Sequence, residues 1–202
     1  MIKTMFWDLG GVVLTNAWDR EQRISVLRDF GITDKKSLDE FGDRHREVAA
    51  VFETGKCSLD EYLAMTLFGM QIDVKEFRDR MMEQSHAWSA LPVLQEIASS
   101  GRYFMSTLNN ESRELNEHRI RRFELQNYFS LFCSSCYLNL TKPQKEIYET
   151  ALQITQTDAD ECVFIDDRAQ NVEAARLVGM KAIHYETPEQ LREDLQRIGV
   201  VA

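Results

Sequence analysis

The sequence predicts an α/β fold, a Rossmann-like, doubly wound parallel sheet with a helical cap inserted after its first strand. Short apolar runs recur along the chain, most of them followed by a helical pattern, and that alternation builds parallel sheets. About 90 residues without a strand-like run separate the first two runs, far more than a strand-to-helix connection uses. Acidic residues stand directly after the first and fourth runs, where open parallel sheets bind their ligands.

The elements follow in order. Runs at Ile2–Trp7, Tyr103–Leu108, Leu131–Cys133, Cys162–Ile165 and Lys181–His184 read as buried strands. Gly101 ends the helical pattern Val93–Ser100 just before the second strand, and Gly179 stops Ala174–Val178 before the fifth. Thr187-Pro188-Glu189 gives a last helix its N-cap, a proline at the first helical position and an acid in the first turn. Between the first two strands, apolar positions at helical spacing predict several amphipathic helices: Ile24, Leu27 and Phe30, then Tyr62, Leu63, Thr66 and Leu67, then Phe77, Met81 and Met82. The methionines there read as core filler. The expected division is a core of residues 1–15 and 88–202 and a cap of residues 16–87.

Composition narrows the function. The chain has 202 residues, 44% of them hydrophobic and 28% charged, with 9 Gly and 3 Pro, which excludes disordered and collagenous classes. At about 150 residues per domain it makes one domain, or one with a sizeable insertion. Lys and Arg total 24 against 33 acids, a net charge of −9, so adhesion to nucleic acid or to an anionic membrane surface is disfavoured. Arg119, Arg121 and Arg122 read as a solvated helix face. No apolar run nears the ~20 residues of a membrane span, and Asp8 interrupts the first apolar stretch before it could serve as a signal core, so a cytoplasmic location is expected. Four cysteines are too few for a disulfide scaffold, and Cys133-Ser-Ser-Cys136 lacks the partner pair of a zinc site.

The chemistry lies at the strand ends. Asp8-Leu9-Gly10-Gly11-Val12-Val13 follows the first strand, Thr107-Leu108-Asn109-Asn110-Glu111 closes the second, Lys142-Pro143 lies between the third and fourth, and Asp166-Asp167-Arg168 follows the fourth. In a doubly wound sheet these segments converge on one crevice. Three carboxylates so close repel one another unless positive charge sits among them. Lys142 supplies one such charge. A hard, oxygen-seeking dication such as Mg²⁺ supplies more, and the set suits phosphoryl chemistry.

Those motifs, in that order, resemble the haloacid dehalogenase superfamily of hydrolases, in the subclass with a helical cap after the first strand. The nucleophilic Asp of the family is matched by Asp8 in Phe6-Trp7-Asp8-Leu9-Gly10-Gly11-Val12-Val13. Its lysine is matched by Lys142 in Leu140-Thr141-Lys142-Pro143, and its metal-binding acids by Asp166-Asp167; Asn171 and Gly179 also fall where members often carry Asn and Gly. The chain looks most like the phosphatase branch that includes small sugar-phosphate phosphatases and the amino-terminal domain of soluble epoxide hydrolases. The resemblance implies attack of Asp8 on phosphorus, giving an aspartyl phosphate that water hydrolyses. It implies Mg²⁺ held by Asp8, the carbonyl oxygen of Gly10 and an acid of the pair. Asp167 is the preferred direct ligand, with Asp166 acting through water or on Lys142. The implied phosphate-binding group is Lys142 with the loop of Thr107, Leu108 and Asn109, and the implied substrate is a small phosphorylated metabolite.

Two positions depart from the family pattern. Gly10 stands where active phosphatases usually carry a second Asp, the general acid and base. The family's Ser or Thr after the second strand is matched by Leu108 if Asn109 matches the Asn that follows it, or by Thr107 after a shift of one residue. His45 in the cap is a candidate for the missing acid. The competing readings are hydrolysis of a carbon–halogen bond by Asp8, which needs no metal, and a weakly catalytic module that binds a phosphometabolite or a protein.

Overall fold

The computed structural model describes residues 1–201 and contains a five-stranded, wholly parallel sheet. Its strands are β1 (Thr4–Trp7), β2 (Phe104–Asn109), β3 (Leu131–Ser134), β4 (Cys162–Asp166) and β5 (Lys181–His184), in the order β3-β2-β1-β4-β5. All five predicted strands form, with small shifts at their ends. β1 lies at the centre, pairing Trp7 with Thr107 on one side and with Ile165 on the other.

Strand alternation sorts the core into two layers. Met5 and Trp7 of β1, with Val163 and Ile165 of β4, pack on α5 (Leu91–Ser100) and α10 (Pro188–Arg197) through Val93, Leu94, Leu191 and Leu195. Phe6 and Phe164 face the other way, onto Ile147, Tyr148 and Ala151 of α8 (Lys145–Thr155) and Ala175 of α9 (Ala169–Leu177). Each large side chain so buried contributes about 1.5–3 kcal/mol. Gly101, at φ 63°, ends α5 in the left-handed conformation, and the Thr187 side chain caps α10 by accepting from the Gln190 N–H.

The long segment between β1 and β2 is helical: α1 (Arg20–Asp29), α2 (Lys35–Glu53), α3 (Leu59–Thr66) and α4 (Val74–Met82). Asp34, Ser58 and Asp73 cap α2, α3 and α4, and Ser58 forms a reciprocal capping box with Glu61. These helices share an apolar cluster of their own, centred on Phe77, which meets the rings of Trp18, Phe30 and Phe41 at 5.8, 5.5 and 6.2 Å. Met81 is buried in it as expected, and Met70 and Met82 pack at its margin. Leu115 of α6 (Arg113–Arg122) joins the same cluster, so the insertion rests on the sheet-bearing part of the chain.

The insertion is entered and left through adjacent strands of chain. The Thr15 N–H donates to the His86 carbonyl and the Trp88 N–H to the Val13 carbonyl, each at 2.9 Å, around an antiparallel bridge between Leu14 and Ala87. A short helix, α7 (Ser135–Leu138), follows β3 directly and meets the far end of α2.

One charged residue departs from its sequence reading. Arg119 on α6 is 2% exposed, paired with Glu111 at 2.8 Å, rather than part of a solvated face. A guanidinium is buried at that cost only when a carboxylate and further acceptors receive it, and the Thr15 carbonyl is the second acceptor, at 3.1 Å. The four cysteines are free thiols and buried. Among the described residues no helix is long and apolar enough to cross a membrane.

Candidate active site

The carboxyl ends of β1, β2 and β4 converge as the topology requires. The Asp8 N–H donates to the Ile165 carbonyl at 2.9 Å, which ties the residue after β1 to the end of β4. Beyond it the chain coils around the Leu9 carbonyl, which accepts from Val13 and Leu14 at 3.1 and 2.8 Å. Gly11, at φ 77°, closes this loop, and a Cβ there would lie 2.3 Å from Asp167 Oδ2. Only glycine allows the first loop so near the acidic pair.

Lys142 enters from the segment before α8 and is 5% exposed. Its Nζ lies 3.0 Å from Asp8 Oδ1 and 2.5 Å from Asp166 Oδ2, and 5.2 Å from the centre of the Phe164 ring. Asp166 is fully buried and fully engaged. It accepts from Lys142, from the Arg168 N–H at 2.8 Å and from the Asn171 amide at 3.0 and 3.1 Å. Asp167 differs: its Oδ1 is buried with no hydrogen-bond partner. Its backbone carbonyl is bonded to His184 Nε2 at 2.8 Å, which fixes the main chain while leaving the carboxylate open.

Carboxylate oxygens of Asp8, Asp166 and Asp167 lie within 4.8 Å of one another. Burial raises the Asp8 carboxyl to about 7; Lys142 opposes that rise, while Asp166 and Asp167 add to it. Asp167 is raised as well, by burial and then by Asp166. Burial alone would depress the Lys142 ammonium, but Asp166 and Asp8 outweigh it and its pKa stands above the ordinary lysine value. One lysine does not neutralise three carboxylates. The clustered carboxylates, of which Asp167 keeps an oxygen without a partner, could hold a further cation, and the oxygen-only donor set is the kind that Mg²⁺ takes.

A cavity of about 110 Å³ opens beside Asp8 and Lys142, lined by these two and Gly10 from the loops and by Trp18, Asp19 and Glu53 from the helical insertion; Asp166 and Asp167 lie outside its lining. A wider groove of about 780 Å³, between α1 and α2, contains none of the clustered acids. Of the residues expected in the phosphate-binding loop, Thr107, Leu108 and Asn109 do not line the cavity. Leu108 packs in the apolar layer with Phe6 and Cys133, Asn109 bonds to Asn116 and Ser134, and the buried Thr107 hydroxyl has no partner. Asn110 lines it instead, with Glu111 and Arg119. His45 does not line it: its Nδ1 is bonded to the Tyr62 hydroxyl at 2.9 Å, and burial lowers the ring to about 4.

At Gly10 the space of a side chain is taken. A Cβ there would lie 2.8 Å from Asn16 Oδ1 and 3.9 Å from the Arg119 guanidinium. Asn16, Glu53 and Arg119 carried no sequence signal for the site. Asn16 follows the loop by several residues, Glu53 is one acid of many on a long helix, and Arg119 sits among other basic residues of α6. Their meeting is a tertiary fact.

Comparison with known proteins accords with this geometry. The family model for haloacid dehalogenase-like hydrolases matches residues 2–179. The chain is 26% identical over 179 residues to flavin mononucleotide hydrolase 1 of Arabidopsis thaliana, covering 85% of this chain and 69% of that one. It is 22% identical over 204 residues to D-ribitol-5-phosphate phosphatase of Bacteroides thetaiotaomicron, covering 96% and 97%. A crystal structure of a haloacid dehalogenase family enzyme from Bacteroides thetaiotaomicron, in complex with magnesium and inorganic phosphate, superposes with a TM-score of 0.77 at 19% identity, over 93% of this chain and 96% of that one. With a family match over nearly its whole length, and the parallel sheet, inserted helices and acidic cluster in place, the chain belongs to the haloacid dehalogenase-like hydrolases.

Proposed function

We propose that the protein is a Mg²⁺-dependent phosphatase acting on a small phosphorylated metabolite through an aspartyl-phosphate on Asp8. The observation that carries the reading is the division of labour between neighbouring acids. Asp166 is saturated by Lys142, Arg168 and Asn171, whereas Asp167, clustered with Asp8, keeps a buried oxygen without a partner. Asp8, Asp167 and the Gly10 carbonyl would hold the metal, with Asp166 orienting Lys142. When bound, Mg²⁺ would neutralise charge on the phosphoryl oxygens.

The chain's own residues do the rest. Asp8, fixed through its N–H to Ile165, presents a carboxylate oxygen for in-line attack on phosphorus. Lys142 balances charge on Asp8 before attack and on the phosphoryl group during it. Residues 16–87 act as a cap, supplying Trp18, Asp19 and Glu53 to the cavity wall and excluding bulk water. The curated relatives named above act on phosphorylated compounds, which supports this substrate class. Carbon–halogen hydrolysis, which needs no metal, would leave the unpartnered carboxylate oxygen of Asp167 without a task.

Turnover of 4-nitrophenyl phosphate with and without Mg²⁺ tests the reading. It is expected to require the metal and to fall by about 10³-fold or more in Asp8→Asn. Undiminished turnover in that variant would overturn the covalent route, and binding of phosphate esters without turnover would favour a binding module.

A further inference from the structure

We infer that Glu53, on the helical insertion, is the general acid and base of the hydrolysis, standing in for the carboxyl group that Gly10 lacks. The inference rests on the phosphatase reading above.

Besides Asp8, three acids line the cavity: Asp19, Glu53 and Glu111. Both oxygens of Glu111 are occupied, one by Arg119 at 2.8 Å and the other by the Ser112 N–H at 2.9 Å. Asp19 is half exposed and lies 3.8 Å from the Arg168 guanidinium. Among the described residues, Glu53 alone of the three has a carboxyl group with neither a hydrogen bond nor an ion pair. Its carboxyl group is therefore free to meet a ligand.

The backbone that carries it is held in place. The Glu53 carbonyl accepts from Ser135 Oγ at 2.6 Å, and that hydroxyl in turn accepts from the Glu111 N–H at 2.9 Å. Asn139 donates to the Thr54 carbonyl at 2.7 Å. Gly55, at φ 68°, approaches so closely that a Cβ would lie 2.4 Å from the Cys136 carbonyl oxygen. On the other side Phe52 stacks on Tyr62, with ring centres 4.1 Å apart. Residues 52–55 are thus clamped between the insertion's core and α7, a placement that catalysis by proton transfer requires. Burial raises the Glu53 carboxyl above the usual range, and Glu111 and Asp19 push the same way against Arg168 and Arg23. That favours a group that carries a proton to the reaction.

In the first step an Asp8 oxygen bonds to phosphorus and the bond from phosphorus to the leaving oxygen breaks. The electron pair stays on that oxygen, which takes the Glu53 proton. In the second step Glu53, now a carboxylate, takes a proton from water as the water oxygen bonds to phosphorus, and Asp8 departs as carboxylate with inorganic phosphate released.

The test is kcat/KM, which reports the first step, for Glu53→Gln and wild type across aryl phosphates of graded phenol pKa and one alkyl phosphate. The variant is expected to lose about 10²-fold or more on the alkyl ester, and progressively less along the series toward 4-nitrophenyl phosphate, whose leaving group needs no proton. Glu53→Asp, which keeps the acid, should retain the shallow wild-type dependence at a lower rate. Mg²⁺ affinity by calorimetry, unchanged in both variants, shows the site intact. A uniform loss across the series, or no loss, overturns the role of Glu53 and leaves the phosphatase reading standing. A wild type that hydrolyses none of the esters overturns both.

Discussion

Asn110 holds the backbone of Lys142 by both of its polar groups. Its Oδ1 accepts the Lys142 N–H at 2.8 Å and its Nδ2 donates to the Lys142 carbonyl at 3.0 Å. The lysine that bridges Asp8 and Asp166 is thereby fixed by the loop after β2. Asn110→Ala removes two hydrogen bonds at a half-buried position and is expected to cost about 1–3 kcal/mol. Turnover should fall about tenfold as the ammonium loses its placement. Thermal melts and steady-state kinetics check the two effects, and a fall in stability with full activity would contradict the second.

The acidic pair should respond in opposite ways. Asp166→Ala strips Lys142 of a partner at 2.5 Å in a fully buried setting and is expected to destabilise the fold by about 3 kcal/mol. Asp167→Ala removes a carboxylate whose Oδ1 has no partner, so the metal-free melting temperature should hold or rise. That same variant should lose the protection that saturating Mg²⁺ gives, about 2.7 kcal/mol at 100 times Kd. Melts of both variants with and without Mg²⁺ decide it; protection that survives in Asp167→Ala would move the direct ligand elsewhere.

Metal-free protein is expected to lose stability as pH rises. The Asp8 carboxyl moves from an ordinary 3.8 to about 7 on folding, so across that window the native state keeps a proton that the unfolded chain has released. Stability falls with pH wherever the native state binds more protons. Denaturant titrations between pH 4 and pH 8 in chelator should show the decline, and Asp8→Asn should make it shallower, the remainder belonging to Asp167 and Glu53, which burial also raises. A metal-free protein that gains stability over this range would contradict the assignment.

Gly10→Asp is expected to restore little. The new Cβ would displace the Asn16 side chain, and the carboxylate would lie beside Arg119, whose charge favours the ionised form and makes it a poor proton donor. In the wild-type background, turnover of an alkyl phosphate should change by less than about tenfold. In the Glu53→Gln background the same substitution should help more, because no other acid remains. Equal gains in both backgrounds would show that the two positions do not share a task.

The strands were legible because each combines a short apolar run with flanking turn or cap residues. The alternation of Met5, Phe6 and Trp7 even carries the two core layers in three letters. Asp8, Lys142, Asp166 and Asp167 were legible for a different reason, since a strand end in an open parallel sheet has a fixed place in space. Glu53 and Arg119 were not. Each lies on a helix whose charged positions look alike in sequence, and only the docking of α2 on α7, and of α6 on the first loop, selects one of them. Thr107, Leu108 and Asn109 belong to β2, whose last residues still alternate between buried layers, and the chain first turns into the cavity at Asn110.

The paired linkers at Leu14 and Ala87 give the molecule two rates of change. An insertion whose two ends are already neighbours asks nothing of its host except the width of one bridge, and segments with adjacent ends are those a domain tolerates best. Helices between Thr15 and His86 can lengthen, shorten or exchange side chains while β1 and β2 keep their register. On the proposed phosphatase reading, the wall that would choose the substrate is free to drift, while the floor that would break the bond is held to a handful of fixed positions. Descendants of such a fold would be expected to differ most in what they accept and least in how they cleave it.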